Sequence, residues 1–420
     1  MKFDISTTRE HLADHQMDFL GGSPVVAHCH HFNLFWDQTM DDALGVERGE
    51  KVRTNAAHKA SYKLLRGLVA AFPKTTPVER LGIAASTFAS MGHGKLHLAV
   101  GRNGGLVRGD YLHYGFGWKE KYGGRMTRSA PADAFGAGYS AAATEVAYDL
   151  DPGTLEAVEE KCIVDGSTGC EIRVSGGGES LLPQGVDPHS AREVLPPTFE
   201  GMHEERIVPV VAGLREFLAG VAGDNRGVIE AFGVLVTSHL ADYYNHAASD
   251  VLELLTREKP AAIEAFRALL VEAGQACAFH TFGGVLASPE WESMVGPPSG
   301  DPVEVVTGCI ALARAFGFGK WAIEEFVPNE RLVMTSPGTY ETLFSRLISA
   351  DELRGPAGIF PGAGIGIMQL AHGVQWQPRP NIDGSLYLSL ARSSPWSVEE
   401  TSTIAAGDAL DRVVVTKRWP

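Results

Sequence analysis

Pro77-Val78-Glu79 through Gly92-His93-Gly94-Lys95 returns 225 residues later as Pro302-Val303-Glu304 through Gly317-Phe318-Gly319-Lys320. That repeat decides the reading of the fold. Each copy opens as a helix should. Thr76 or Asp301 caps, proline follows in the first turn, and Glu79 or Glu304 falls three residues after the cap. Each copy ends on glycine, where the chain can take a positive φ, and passes into strand-like sequence. Two helices started and stopped alike imply two versions of one domain.

Other anchors keep the same order. His30 and Asp41 match His239 and Asp250, Gly136-Ala137-Gly138 matches Gly362-Ala363-Gly364, and Val158-Glu159-Glu160 with Gly166 matches Val398-Glu399-Glu400 with Gly407. Between anchors, periodicity predicts a short helix over residues 8–19 and an aromatic helix over 25–44. A long helix is predicted over 55–72, and a hairpin over 95–118 whose second arm is strand. A small-residue helix over 130–148 and a closing hairpin over 155–175 complete the unit. The proline- and glycine-bearing stretch after Ser175 reads as a linker. The division is thus residues 1–175, a linker over 176–205, and a second copy over 206–420, within an α/β (α+β) class of helices plus antiparallel sheet.

Composition narrows function only by exclusion. The 420-residue chain is 44% hydrophobic and carries a formal charge of −15, which argues against nucleic acid. Its five cysteines are irregularly spaced, as suits a reducing compartment better than a disulfide framework. With no signal-like start and no membrane-length apolar run, a cytoplasmic protein is expected. Gly92-His93-Gly94-Lys95 is no phosphate loop, because it lacks the earlier glycine, the following Ser or Thr, and a helix to open.

The closing hairpin, Glu159-Glu160-Lys161-Cys162-Ile163-Val164-Asp165-Gly166-Ser167-Thr168-Gly169-Cys170, resembles that of the 4-vinyl reductase-like domain, and Phe135-Gly136-Ala137-Gly138-Tyr139 sits where that family has a glycine-rich helix. The resemblance spans about residues 55–175 and 255–416. It implies a domain distantly similar to haem nitric-oxide-binding domains, and binding of small hydrophobic molecules, including phenols in some bacterial sensors. The family's name suggests a tetrapyrrole. Dimers among those sensors imply either a homodimer or a pseudo-dimer within one chain. In the second copy Thr403 and Asp411 replace the cysteines.

Three groups of residues could carry chemistry. Cys162 and Cys170, with Glu159, could hold zinc; they could equally be a packed pair of small thiols. The phenol sensors have a third cysteine that is missing here. His28-Cys29-His30-His31, read as helical, puts His28 and His31 on one face and offers ligands for iron, zinc, copper or a haem edge, with Asp37 or Asp41 adding an oxygen. The plainer reading is a set of buried, hydrogen-bonded histidines. Phe32, Phe35, Trp36, Tyr114, Phe116 and Trp118 could line an apolar pocket with His93 and His97 as polar tips, or simply form core. Lys119, Lys121, Arg125 and Arg128 read as a solvated basic loop. Three functions stay open: a binding protein for a small hydrophobic or aromatic molecule, a metal- or haem-dependent redox enzyme or lyase, and a structural subunit.

Overall fold

A computed structural model describes residues 5–123, 128, 130–350 and 358–418. The first half runs β1 (Arg9–Leu12), β2 (Met17–Leu20), β3 (Ser23–Cys29), α1 (His30–Leu44), α2 (Val46–Ala71), α3 (Pro77–Ser90), β4 (Lys95–Gly101), β5 (Gly104–Asp110), α4 (His113–Tyr122), α5 (Ala134–Ala147), β6 (Leu155–Lys161) and β7 (Cys170–Gly176). A connection carrying α6 (Pro188–Val194) leads into α7 (Glu204–Ala219). The second half continues with β8 (Ile229–Ala231), β9 (Val234–Leu240), α8 (Ala241–Glu258), α9 (Ile263–Cys277), a π turn (Ala278–Phe282), α10 (Gly283–Leu286), α11 (Pro289–Met294) and α12 (Pro302–Ala315). It closes with β10 (Ala322–Val327), β11 (Arg331–Ser336), α13 (Tyr340–Leu347), α14 (Ile359–Gly373), α15 (Gly384–Arg392), β12 (Trp396–Ser402) and β13 (Asp411–Lys417). The class is the expected mixture of helices and antiparallel sheets. No helix among the described residues is long and apolar enough to cross a membrane.

The two four-stranded sheets have the same order, β4-β5-β7-β6 and β10-β11-β13-β12. A third sheet, β1-β2-β3-β9-β8, joins the halves through antiparallel β3 and β9. Its register pairs Val26 with His239, Ala27 with Ser238, and His28 with Thr237. Counting from the helix that follows each strand, residue 28 corresponds to 239 and 26 to 237. Exchanging the halves therefore maps the register onto itself about Ala27 and Ser238, a local pseudo-twofold. His239 is thus the counterpart of His28 and not of His30.

The duplicated helices build this junction. Thr76 accepts from Glu79 N while Glu79 answers Thr76 N, and Asp301 accepts from Val303 N. At their ends Met91 O accepts from Ser238 N (2.9 Å) and Phe316 O from Ala27 N (3.0 Å). Each helix thereby docks on the strand of the other half. Gly92 (φ +88°) and Gly317 (φ +85°) turn the chain there, and a Cβ on either would meet Val236 O at 2.6 Å or Val25 O at 2.8 Å. Only glycine allows that conformation and that approach.

Several expectations change. Residues 8–19 form β1 and β2, because pairing to β3 outweighs local helical preference. The helix expected from residue 25 begins at His30; Val25 to Cys29 are strand, paired with β9. Residues 113–122 are helix, not strand. Gly115 and Gly117 let α4 approach closely, a Cβ on them lying 3.2 Å from Cys162 Sγ and 3.0 Å from His30 Cβ. Gly138, and not Gly136, corresponds to Gly362. Gly138 packs on Thr54 O and His58 N, while Gly362 packs on Val271 O and Gln275 N, the same sites on α2 and α9.

Candidate ligand and metal sites

Within the closing hairpin, a register shift between Glu159 and Lys161 inserts one extra residue. Strict alternation would turn Cys162 away from Glu159, but the bulge lets both face inward while Glu160 and Lys161 stay exposed. Ligand atoms of Glu159, Cys162 and Cys170 lie within 4.8 Å of one another, all buried, and the two sulfurs are 3.8 Å apart. Glu159 Oε2 accepts from Asp133 N (2.7 Å), and Oε1 has no partner. Burial, and then the neighbouring Cys162, push the Glu159 carboxyl well above its ordinary range. A hydrogen bond from Cys170 brings Cys162 down to about 7, and donating it holds Cys170 up. Two sulfurs and an oxygen are a donor set that suits zinc.

The second half shows the alternative solution. The same bulge recurs between Glu400 and Ser402, but Asp411 stands for Cys170 and Thr403 for Cys162. Asp411 accepts from Thr342 Oγ1 (2.6 Å), Ile404 N (2.8 Å), Thr403 Oγ1 (3.0 Å) and Thr339 N (3.3 Å). Thr342 occupies the position of Gly115. That carboxylate is satisfied by protein donors, whereas Glu159 Oε1 is not.

The histidine run does not converge. His28, on β3, stacks on Phe32 (4.1 Å) and lies 3.5 Å from Cys277 Sγ through Nδ1, and Cys29 accepts from Thr281 Oγ1 (3.2 Å). His30 and His31 begin α1 and stand beside His280 of the π turn, with ring centroids 4.0 and 4.9 Å apart along the series. Because His28 is strand and His31 helix, they share no face. Burial lowers His30 to about 4, His31 to about 2 and His280 to about 3. Asp37 and Asp41 are paired with Arg53, and Arg128 reaches Asp41 at 3.1 Å. Arg125 lies outside the described residues. Among the described residues, Glu159, Cys162 and Cys170 are the one set with metal-ligating geometry.

The aromatic candidates divide. Phe32 and Trp36 pack round Tyr244 (both 5.5 Å), and Phe35 is half-buried. On α4, Phe116 meets Tyr111, and Trp118 meets Tyr122 at the edge of the core, neither beside His93. His97 is exposed on the sheet and pairs with Asp110 (2.8 Å). His93 and Tyr114 do lie together inside. His93, between two glycines of positive φ, packs against Phe88 (5.3 Å) and Phe135 (4.4 Å), edge-on to His239 (4.7 Å) and His113 (6.0 Å).

Polar groups converge on the same place from both halves. The Tyr114 hydroxyl is 3.0 Å from His239 Nε2. Asn33 Nδ2 donates to His113 Nε2 (2.8 Å) and Thr237 Oγ1 (3.1 Å), while Tyr244 donates to Asn33 Oδ1 (2.6 Å). His93 alone of these imidazoles has neither nitrogen partnered, at 1% exposure. Burial first, then His239 and His113, hold it well below its ordinary pKa and so neutral. Sequence reading missed Asn33, Phe88, Phe135, Tyr243 and Tyr244 as neighbours of this site. The one available signal was the repeat, which aligns Phe32 with Tyr243 once His28 is matched to His239.

In the second half Phe318 replaces His93 in the same setting: His28 lies 4.8 Å away and Tyr340 5.8 Å, as His239 and His113 do about His93. No protein-family model matches the chain, and no curated protein matches its sequence. Among solved structures, it is similar to the phenol-responsive sensory domain of the transcription activator PoxR with phenol, over 41% of this chain and 86% of that one, at 12% identity and a TM-score of 0.34.

Proposed function

We propose that the chain binds a small, neutral, single-ring aromatic molecule carrying a hydroxyl, at His93. The observation that carries this is the pair of unpartnered nitrogens on a buried imidazole whose counterpart in the other half is a phenyl ring. A neutral imidazole offers one donor and one acceptor, which a hydroxyl complements, and the rings of Phe88 and Phe135 suit a flat apolar body. Among the described residues only the imidazoles of His239 and His113 act electrostatically on His93, so a charged ligand would meet no compensating ion there. Calorimetric titration of the full chain with phenol tests the reading. Saturable one-to-one binding, lost in His93→Phe and kept in His97→Ala, is expected. Binding of benzene as tight as phenol, or phenol binding indifferent to His93→Phe, would overturn it.

The unpartnered Glu159 Oε1 supports a second element of the reading, a zinc ion held by Glu159, Cys162 and Cys170. Zinc there would tie α4 and α5 to the hairpin. Elemental analysis should find one zinc per chain, absent from Cys170→Ser; zinc retained in that variant refutes the site. We read the two halves, residues 1–175 and 206–420, as duplicates joined through 176–205 into an intrachain pseudo-dimer. The matching sheet orders and the exchanged contacts of Met91 and Phe316 support that view.

A further inference from the structure

The pseudo-twofold at Ala27 and Ser238 has two flanks, and they are finished differently. On the flank of α3, the segment ahead of β8 fills the groove: Gly223 N donates to Ser90 O (3.1 Å) and Gly94 N to Gly227 O (2.8 Å). The corresponding segment on the α12 flank is the turn between β1 and β2. Among the described residues it makes no equivalent bond to the end of α12. A cleft of about 290 Å³ remains there, between α7 and the five-stranded sheet.

We propose that this cleft binds a small amphiphilic carboxylate, separately from the interior site. Its floor is apolar, made by Phe19, Val25, Ala27, Ile229, Val236 and Phe316, with Leu218 of α7 as a wall. Its volume is at the low end for ligand sites, roughly 300 Å³ upward, so the apolar body is short. The charge at the mouth selects the head group. Asp18 is taken by Arg215 (2.9 and 3.1 Å) and His11 (3.0 Å), and Glu10 is taken by Arg192. Arg9 lines the same mouth, is exposed, and makes no ion pair among the described residues. The acids are thus paired while, among the described residues, the Arg9 guanidinium has no carboxylate partner, and its planar fork suits a carboxylate.

Calorimetric titration of the full chain with octanoate, octanol and octylamine tests this. Octanoate should bind one-to-one, tenfold or more tightly than octanol, with no octylamine binding. Arg9→Glu should weaken octanoate at least tenfold, and Ala219→Trp, at an exposed position on the cleft wall, should abolish it. Phenol binding should be unchanged in both variants, which separates failure here from failure of the interior reading. Octanoate binding that survives both substitutions, that is lost in His93→Phe, or that is matched by octanol would overturn the proposal, as would no octanoate binding at all.

Discussion

Replacing His93 by Phe should make the ligand-free protein more stable while removing its binding function. The wild-type side chain buries two unpartnered nitrogens, and an unsatisfied buried polar group costs about 1–3 kcal/mol. A phenyl ring removes that cost. Overpacking normally costs about 1–3 kcal/mol, but Phe318 already fits the same frame, with His28 at 4.8 Å where His93 has His239 at 4.7 Å. The net gain expected is about 1–3 kcal/mol, read as a higher urea midpoint by tryptophan fluorescence. Phenol at about 1,000 times its Kd should then reverse the ranking, since it stabilises the wild type by about 4.1 kcal/mol and the variant not at all. A variant that is less stable without ligand, and still gains stability from phenol, would refute the reasoning.

The remaining predictions use other parts of the frame. Gly92→Ala and Gly317→Ala should each cost about 3 kcal/mol or more in urea unfolding, from positive φ and from a carbonyl at 2.6 or 2.8 Å. Gly384→Ala, with open space around it, should change little. The triple variant Gly115→Thr, Cys162→Thr, Cys170→Asp copies the second half's hydrogen-bonded solution, so it should fold without zinc, as judged by circular dichroism and elemental analysis. Acid should destabilise the chain early. His30 is lowered to about 4 and His239, His246 and His280 to about 3 by burial, so below pH ~6.5 the unfolded chain binds protons that the folded chain refuses. Each imidazole then costs about 1.4 kcal/mol per pH unit. Asp37 and Asp411, raised to about 6, and Glu341, raised to about 8, all by burial, each return roughly one imidazole's share below those pH values, which leaves the more numerous lowered imidazoles in excess. Urea midpoints unchanged between pH 7.5 and 5.5 would contradict this.

What was legible in the sequence was local. The helix caps at Thr76 and Asp301, the terminal glycines and the cysteine hairpin each lie within a few residues, and their spacing follows from bond geometry. The hairpin bulge was invisible, yet Glu159 and Cys162 still come to one side because the extra residue acts within that same short span. Long-range register was harder. His28, His30 and His31 offered three ways to align with His239, and only the β3–β9 pairing selects among them. Helix α4 was missed because Gly115 and Gly117 lower helix propensity, while their value is in letting α4 approach Cys162 and His30. The neighbours of His93 come from both halves, so no window of sequence contains the site.

That mixed origin bears on why the two halves differ at matching positions, with Phe318 where the first half has His93. Two identical subunits must carry the same residues at both symmetry-related positions. A fused pair has no such constraint, so 93 can be histidine while 318 is phenylalanine. The loss is not free to spread everywhere, however. His239 and Tyr244 belong to the second half yet stand against His93 and Asn33 of the first. Met91 and Phe316 each bond the strand of the other half, so removing either half leaves the other's junction unmade. On the proposed reading, Phe318, Thr403 and Asp411 mark where the second half carries no ligand chemistry of its own, while β9 and α8 still supply His239 and Tyr244 to the residues around His93.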